Sequence, residues 1–510
     1  MRRRRYLATT GALLASPLVG QAQGGTGTVA STTQSETFEP LGTVEIDGTM
    51  DAVPGPDGTI AYVATTDGFA TVDVSDPTDP AVLANPRGLL EDEPNGPLQQ
   101  IYDVKVDGDR LAVAGPANRG PSLTGFVLYD VSDPANPEQL AFYESGHPIH
   151  NFAFEDGVAY LSGNDQASNP LVAVDCSDDD PEEVGRWSLL DHDSAWADVD
   201  FFLRYLHDVY VQDGTAYLAH WDAGTWIVDV SDPSSMSTVA RVRGRSIETL
   251  AEMSRFEAAS EYTETPGNDH YVTVDESAAV LAVGSEAWDM GNTNRLGGPG
   301  GIELYDISTP SEPSQLATIE APGTADPTTS GVWTTSHNFA LQNDRLYASW
   351  YRGGVSVHDV SDPAAPEERV FWEDRDRASF FTAMATDDCV IASSISDRTG
   401  ADTTEGVFTF PIPTDDTETV VTRPTTTDSP TATDSPATTT TTTDSSHPVT
   451  TVTAQPPGDT TTRSGAATTT EATTPSGSGS GPGFGIVSAL TGVAAGSWYA
   501  LRQRGRDDSE

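Results

Sequence analysis

The sequence of 510 residues has a single lysine, Lys105, and sets 77 acidic residues against 26 basic ones for a net charge of −51. So anionic a chain repels polyphosphate and anionic headgroups, which excludes nucleic acid and charge-driven lipid binding as function classes. Cysteine is nearly absent. Cys176 stands where sister segments carry Val or Ile, and Cys389 opens an apolar run, so both are expected as small buried apolar residues and not as a disulfide. There is no Asn-x-Ser/Thr sequon. No segment has the form of a strained nucleophile elbow, so Asp191-His192-Asp193 with Ser194 is not read as a hydrolase triad. Gly297 to Gly301 lacks a phosphate-cradling helix after it and is read as loop.

What the chain has in abundance is a repeat. From Leu206 to Val239 three alternating runs, His207 to Val211, Ala216 to His220 and Thr225 to Val230, are separated by Asp213-Gly214 and Asp222-Ala223-Gly224. Ser231-Asp232-Pro233 leads into a fourth, giving an antiparallel meander of four strands. The third strand and its turn recur as Val72 to Pro77, Tyr129 to Pro134 and His358 to Pro363, and more loosely at Val174 to Asp178 and Tyr305 to Pro310. A seventh unit, Phe381 to Pro413, lacks a fourth strand, and Glu39 to Ile46 matches the missing one. The expectation is an all-β fold, a closed propeller of seven four-stranded blades over residues 36–413, because radial closure protects every sheet edge. The Asp-x-Ser-Asp-Pro turns look calcium-like, but Asp and Ser before Pro bond their own backbone, and the structural role is preferred.

Ala61-Tyr62-Val63-Ala64 with Thr71 to Pro77, and Ala216-Tyr217-Leu218-Ala219 with Trp226 to Pro233, resemble LVIVD-repeat proteins, surface-associated β-propellers of bacteria and archaea. The resemblance implies the fold and carries no agreed reaction or catalytic residue.

The two ends read differently. Residues 1–22 run from Arg2-Arg3-Arg4-Arg5-Tyr6-Leu7 through an apolar stretch to Gly20-Gln21-Ala22, and resemble a twin-arginine signal peptide, followed by a short linker over 23–35. Residues 414–481 are Thr, Ser, Pro, Asp and Gly with almost no apolar side chains, and are expected as a disordered stalk. Residues 482–510 hold Pro482-Gly483-Phe484, an apolar run to Leu501 and Arg502, Arg504 and Arg506, and resemble a PGF-CTERM sorting signal. That resemblance implies an archaeosortase, loss of the helix and attachment of a lipid; the plain alternative is a transmembrane anchor. Carboxylates spread through every repeat, self-repelling in dilute buffer and screened at molar salt, resemble the proteins of halophilic archaea.

Aligning the units on their first strands puts Met50, Tyr102, His150, His207, His270, His337 and Phe381 at one register. Four consecutive units thus carry a histidine where the innermost strand enters. The long connections, Gly115 to Thr124, Gly163 to Asn169, Arg186 to Tyr205, Gly244 to Asp269, Gly284 to Gly301 and Ala321 to Thr335, all open at that same end. Ile247 to Tyr262 is predicted as a short helix over it. An arc of His150, His207, His270 and His337 suits a metal, Fe, Zn or Cu, with Asp208, Asn151 and Asn338 as neighbours that fix the imidazoles. Strand alternation also allows those three to serve another blade. His147, His192 and His220 are further candidates at this end. The plainer reading gives the histidines a structural role, bonding loop backbone between blades. Trp187, Trp196, Trp288 and Trp333 could stack on sugars, though packing is the commoner outcome.

Two functions follow. One is an exported, C-terminally anchored module that binds an extracellular protein or glycan through the elaborated end. The other is an extracellular metalloenzyme, hydrolytic or oxidative, built on the four histidines.

Overall fold

The computed structural model describes residues 38–291, 297–414 and the backbone of 420–421. Within them the chain forms seven antiparallel sheets arranged as the repeat requires. Blade 4 is representative: Asp208–Gln212, Thr215–His220, Gly224–Asp229 and Ser237–Arg241 pair in sequence order. Its first hairpin turns on Asp213 and Gly214 with φ of 51° and 74°, the two-residue turn whose twist matches the strands, which an Asp-Gly pair adopts readily. The second and third strands are apolar on both faces because each blade is sandwiched between two others. The fourth strand, at the rim, alternates toward solvent.

Blade 7 is closed by the opposite end of the described chain. Gly42–Glu45 lies antiparallel to Gly406–Pro411, with Gly42 opposite Thr409 and Glu45 opposite Gly406. One hydrophobic core fills each interface between neighbouring blades, and the core around Ala52, Val63, Ile391 and Val407 joins blade 7 to blade 1. Cys176 and Cys389 are free and buried in two of these cores. The acidic turns bond themselves: Asp73 Oδ1 accepts from Ser75 N at 2.9 Å and from Ser75 Oγ at 2.6 Å, and Asp229 and Ser231 repeat the pattern at 3.0 and 2.6 Å. These are the backbone-bonding turns expected of Asp and Ser.

The long connection after blade 3 folds into Leu189–His192 and the 3-10 turns Ser194–Asp198 and Phe201–Arg204. The connection after blade 4 forms two helices, Ile247–Ala251 and Arg255–Glu261, where one was expected. Ser254 caps the second in a capping box with Glu257, which breaks the run. Asp191 and Asp193 likewise serve as helix caps, and Gly297 to Gly301 is loop. Trp196, Leu203, Leu250, Ala258 and Tyr262 pack these helices onto blades 3 and 4 as a cap.

Val420–Val421 pairs in parallel with the rim strand of blade 6, inside the stretch expected as stalk. The signal peptide, the linker, nearly all of the stalk and the sorting signal lie outside the described residues. Among the described residues no helix is long and apolar enough to cross a membrane.

Candidate functional site at the channel mouth

Each unit enters its first strand at the register picked out by the alignment, and its backbone is tied there to the second strand. His207 N donates to Ala219 O at 2.8 Å and His337 N to Ser349 O at 3.1 Å. The side chains at this register form a continuous arc. Ring centroids run from Tyr102 to His150 at 6.2 Å, His150 to His207 at 4.3 Å, His207 to His270 at 3.7 Å, His270 to His337 at 4.9 Å and His337 to Phe381 at 3.8 Å. The four histidines named from sequence are therefore brought together.

Their ring nitrogens divide the work. Nδ1 of His150 lies 3.1 Å from Ala117 O, that of His207 2.7 Å from His270 O, and that of His337 2.8 Å from Phe381 O. A carbonyl only accepts, so each of these Nδ1 atoms carries the proton and each Nε2 keeps its lone pair. These bonds join one blade to another, which is the structural role in full. His270 Nδ1 faces Glu286 Oε2 at 3.3 Å, and its Nε2 faces His337 Nε2 at 3.2 Å. Burial depresses the proton affinity of all four, aided by neighbouring imidazoles at His207, His270 and His337 and by Arg398 at His150 and His337. His150 falls to about 4 and His337 to about 3, so the arc is neutral at pH 7.

Sequence reasoning missed Glu286, Tyr351 and Arg398. Burial pushes the Glu286 carboxyl up to about 7, against the pull of Tyr351, whose hydroxyl donates to Glu286 Oε1 at 2.5 Å. Tyr351 packs edge-on against His337 at 4.9 Å, and the Arg398 guanidinium lies over Tyr102 at 5.7 Å. All three leave the end of a second strand toward the mouth. They lie one, two and four residues past those strand ends, so no repeated register singles them out.

Asn151, Asp208 and Asn338 do not contact the imidazole nitrogens. Alternation turns them to other blades: Asn151 Nδ2 donates to Asp208 Oδ1 at 3.2 Å, Val272 N to Asp208 Oδ2 at 2.9 Å, and Asn338 Nδ2 to Asp51 Oδ1 at 3.0 Å. They belong to a second polar layer, one residue deeper along the first strands, centred on Lys105. Its ammonium bridges Asp51, at 3.1 Å, and Asp103. Burial pushes Asp103 well above the usual carboxylate range. Burial opposes ionisation of Asp51 too, but Lys105 and hydrogen bonds from Asp103, Thr382 and Asn338 prevail and hold it below that range.

The remaining candidates have other partners. His147 Nδ1 contacts Pro148 O at 3.1 Å, His220 Nδ1 contacts Arg204 O at 3.2 Å under the cap, and His192 is exposed with its ring 5.1 Å from Trp226. Trp187, Trp196 and Trp288 are buried, and Trp333 packs on Trp288 at 4.7 Å, so these rings pack as core. The open cleft of about 320 Å³ beside Trp196, Trp226, Arg241 and Ile247 lies at the rim of blade 4, away from the arc.

Topology and site together define a seven-bladed β-propeller with a histidine-lined mouth. Within it, residues 57–85, the second to fourth strands of blade 1, and 204–243, all of blade 4, match the LVIVD repeat. No curated protein matches the sequence. Similar solved structures include the Cps50 (Swd1) β-propeller domain of Myceliophteria thermophila, at 10% identity and a TM-score of 0.48, covering 74% of this chain and 100% of that one. The WD40 domain of Neurospora crassa Pan2 is similar at 10% identity and a TM-score of 0.44, over 74% of this chain and 97% of that one. The designed protein Ika8 follows at 9% and 0.41, over 73% and 98%.

Proposed function

We propose that this protein is an exported binding module, held at the cell surface by its C-terminal segment, that engages an extracellular partner through the loop-bearing end of the propeller. One observation carries the reading. The long connections open at one end, and the two after blades 3 and 4 fold there into a packed cap, whereas the turns after the third strands at the opposite end are compact and self-bonded. A rigid ring that elaborates a single end concentrates recognition there. The cap also bears the most exposed large apolar side chain among the described residues, Phe256 at 80%. Burial of three of the four tryptophans in the elaborated connections favours a protein partner over a glycan.

The test is photo-crosslinking on intact cells in their native salt, with the crosslinking side chain at Phe256 in the cap or at Asp79 on the opposite end. Adducts from Phe256 and none from Asp79 are expected. Equal labelling from both ends, or labelling only from Asp79, would overturn the assignment. A twin-arginine origin is checked separately, by replacing Arg2 to Arg5 with lysine and following export.

A further inference from the structure

The arc spends one nitrogen of each imidazole on structure and leaves the other. Three Nδ1 atoms are anchored on carbonyls and the fourth faces a carboxylate, so the arc has the outer support that histidine ligands of a metal require. Among the described residues, Nε2 of His150 and Nε2 of His207 meet no hydrogen-bonding partner. The Nε2 atoms of His270 and His337 face each other at 3.2 Å. Two nitrogens on one metal, each at about 2.0–2.1 Å, stand about 2.9 to 3.4 Å apart in octahedral or tetrahedral geometry. The separation of the pair is that of two ligands sharing an ion.

Ring spacing points the same way for most of the arc. Imidazoles on adjacent positions of one metal have centroids about 4.5 to 5.2 Å apart, from the same bond lengths. The His270–His337 pair, at 4.9 Å, fits, and His150–His207, at 4.3 Å, is close. His207 and His270, at 3.7 Å, are stacked more tightly and must part by about 1 Å for both to bind one ion. Among the described residues His270, Glu286 and His337 bring ligand atoms within 4.8 Å of one another, and His207 and His150 must move inward to join them.

We propose that the channel mouth is a metal centre in which His270 and His337 bind one divalent first-row transition-metal ion through Nε2, and His207 and His150 complete the imidazole set. Glu286 is the positioning residue: its Oε2 lies 3.3 Å from His270 Nδ1, which has no other partner among the described residues, so a proton on Nδ1 is drawn to that side and Nε2 is left for the ion, while Tyr351 holds the carboxyl. Without an ion, His337 Nε2 can only accept, because its proton is on Nδ1, so the contact is a hydrogen bond donated by His270 in its Nε2–H tautomer. Binding an ion through His270 Nε2 shifts that proton to Nδ1, on the side of Glu286. Imidazole donors suit zinc, iron or copper and are poor ligands for calcium or magnesium. The site is independent of whichever partner the cap engages.

The experiment uses the full chain in molar sodium chloride, stripped with a chelator and titrated with cobalt(II), whose visible absorption reports nitrogen coordination. One equivalent per chain is expected, with the bands of an imidazole-rich site. His270→Gln and His337→Gln should each abolish the bands or weaken binding at least 100-fold, with circular dichroism unchanged. Glu286→Gln should weaken binding about 10- to 100-fold and leave the band pattern in place, as loss of an outer-shell partner does. Should the two histidine variants misfold, His150→Gln at the half-buried end of the arc must still alter the bands. No bands in a folded wild-type chain would overturn the proposal. So would binding that survives both histidine variants, since it would belong to surface carboxylates.

Discussion

Lys105 shows how much one residue can decide. A chain that uses arginine for every other internal cation keeps its one lysine in the channel, between Asp51 and Asp103, where the compact ammonium meets two carboxylates from adjacent blades. Removing one partner from such a cluster leaves charge buried without compensation, at a cost of about 3–5 kcal/mol. Lys105→Met is therefore expected to lower Tm sharply in molar salt. Adding Asp51→Asn and Asp103→Asn should recover much of the loss, because the uncompensated carboxylates are then gone. A triple variant no more stable than the single one would contradict this account. Asp222 supplies a second test, under the cap. It is buried, 3.3 Å from Arg245, and burial pushes its carboxyl up to about 7, with Arg245 pulling down and Glu261 pushing up. A carboxyl whose folded value lies above its unfolded value near 3.8 stabilises the fold fully below that value and loses the contribution as pH rises through about 7. Asp222→Asn removes that dependence. The difference in Tm, variant minus wild type, should grow from pH 5 to pH 8 in constant salt, and a difference independent of pH would refute the assignment.

At the scale of the element, closure depends on a short strand distant in sequence. Gly42–Glu45 covers the edge of Gly406–Pro411, and Phe38 stacks on Phe410 at 5.1 Å. Deleting residues 38–46 should expose that edge, lower Tm, and direct limited proteolysis to blade 7 before any other blade. Uniform proteolysis across the blades would argue against a closing role. The same strand marks what could be read from the sequence. Glu39 to Ile46 was recognisable as a fourth strand because rim strands carry a pattern, one face packed and one solvated, and the arc was recognisable because the first-strand register recurs in every unit. Glu286, Tyr351 and Arg398 sit on connections of unequal length, where no periodicity carries the register forward. That Asn151, Asp208 and Asn338 could serve another blade was legible from alternation along the first strand, but the partners they meet there are set by how the blades pack. The split of the cap into two helices was legible in Ser254 and Glu257, a capping box inside an otherwise helical run.

For the molecule as a whole the opposing forces are separated in space. Apolar cores and neutral imidazoles occupy the interior, while the excess of carboxylates lies on rim strands and turns such as Asp76, Glu138, Glu182 and Glu367. With a net charge of −51, repulsion among these groups works against the ring and is screened by salt. The Debye length is about 3 Å at 1 M and about 10 Å at 0.1 M, so at the lower concentration each surface carboxylate begins to feel its neighbours across a blade. Tm and the β-sheet circular dichroism signal are expected to fall together as sodium chloride is lowered from molar to about 0.1 M. A neutral osmolyte at matched osmolality should restore little, because it does not screen. The buried Lys105 cluster is hardly reached by salt, so the penalty of Lys105→Met should be nearly the same wherever in the series the protein stays folded. If instead the signal is flat across the series, surface repulsion is not a term in the stability of this propeller, and the acidic composition needs another cause.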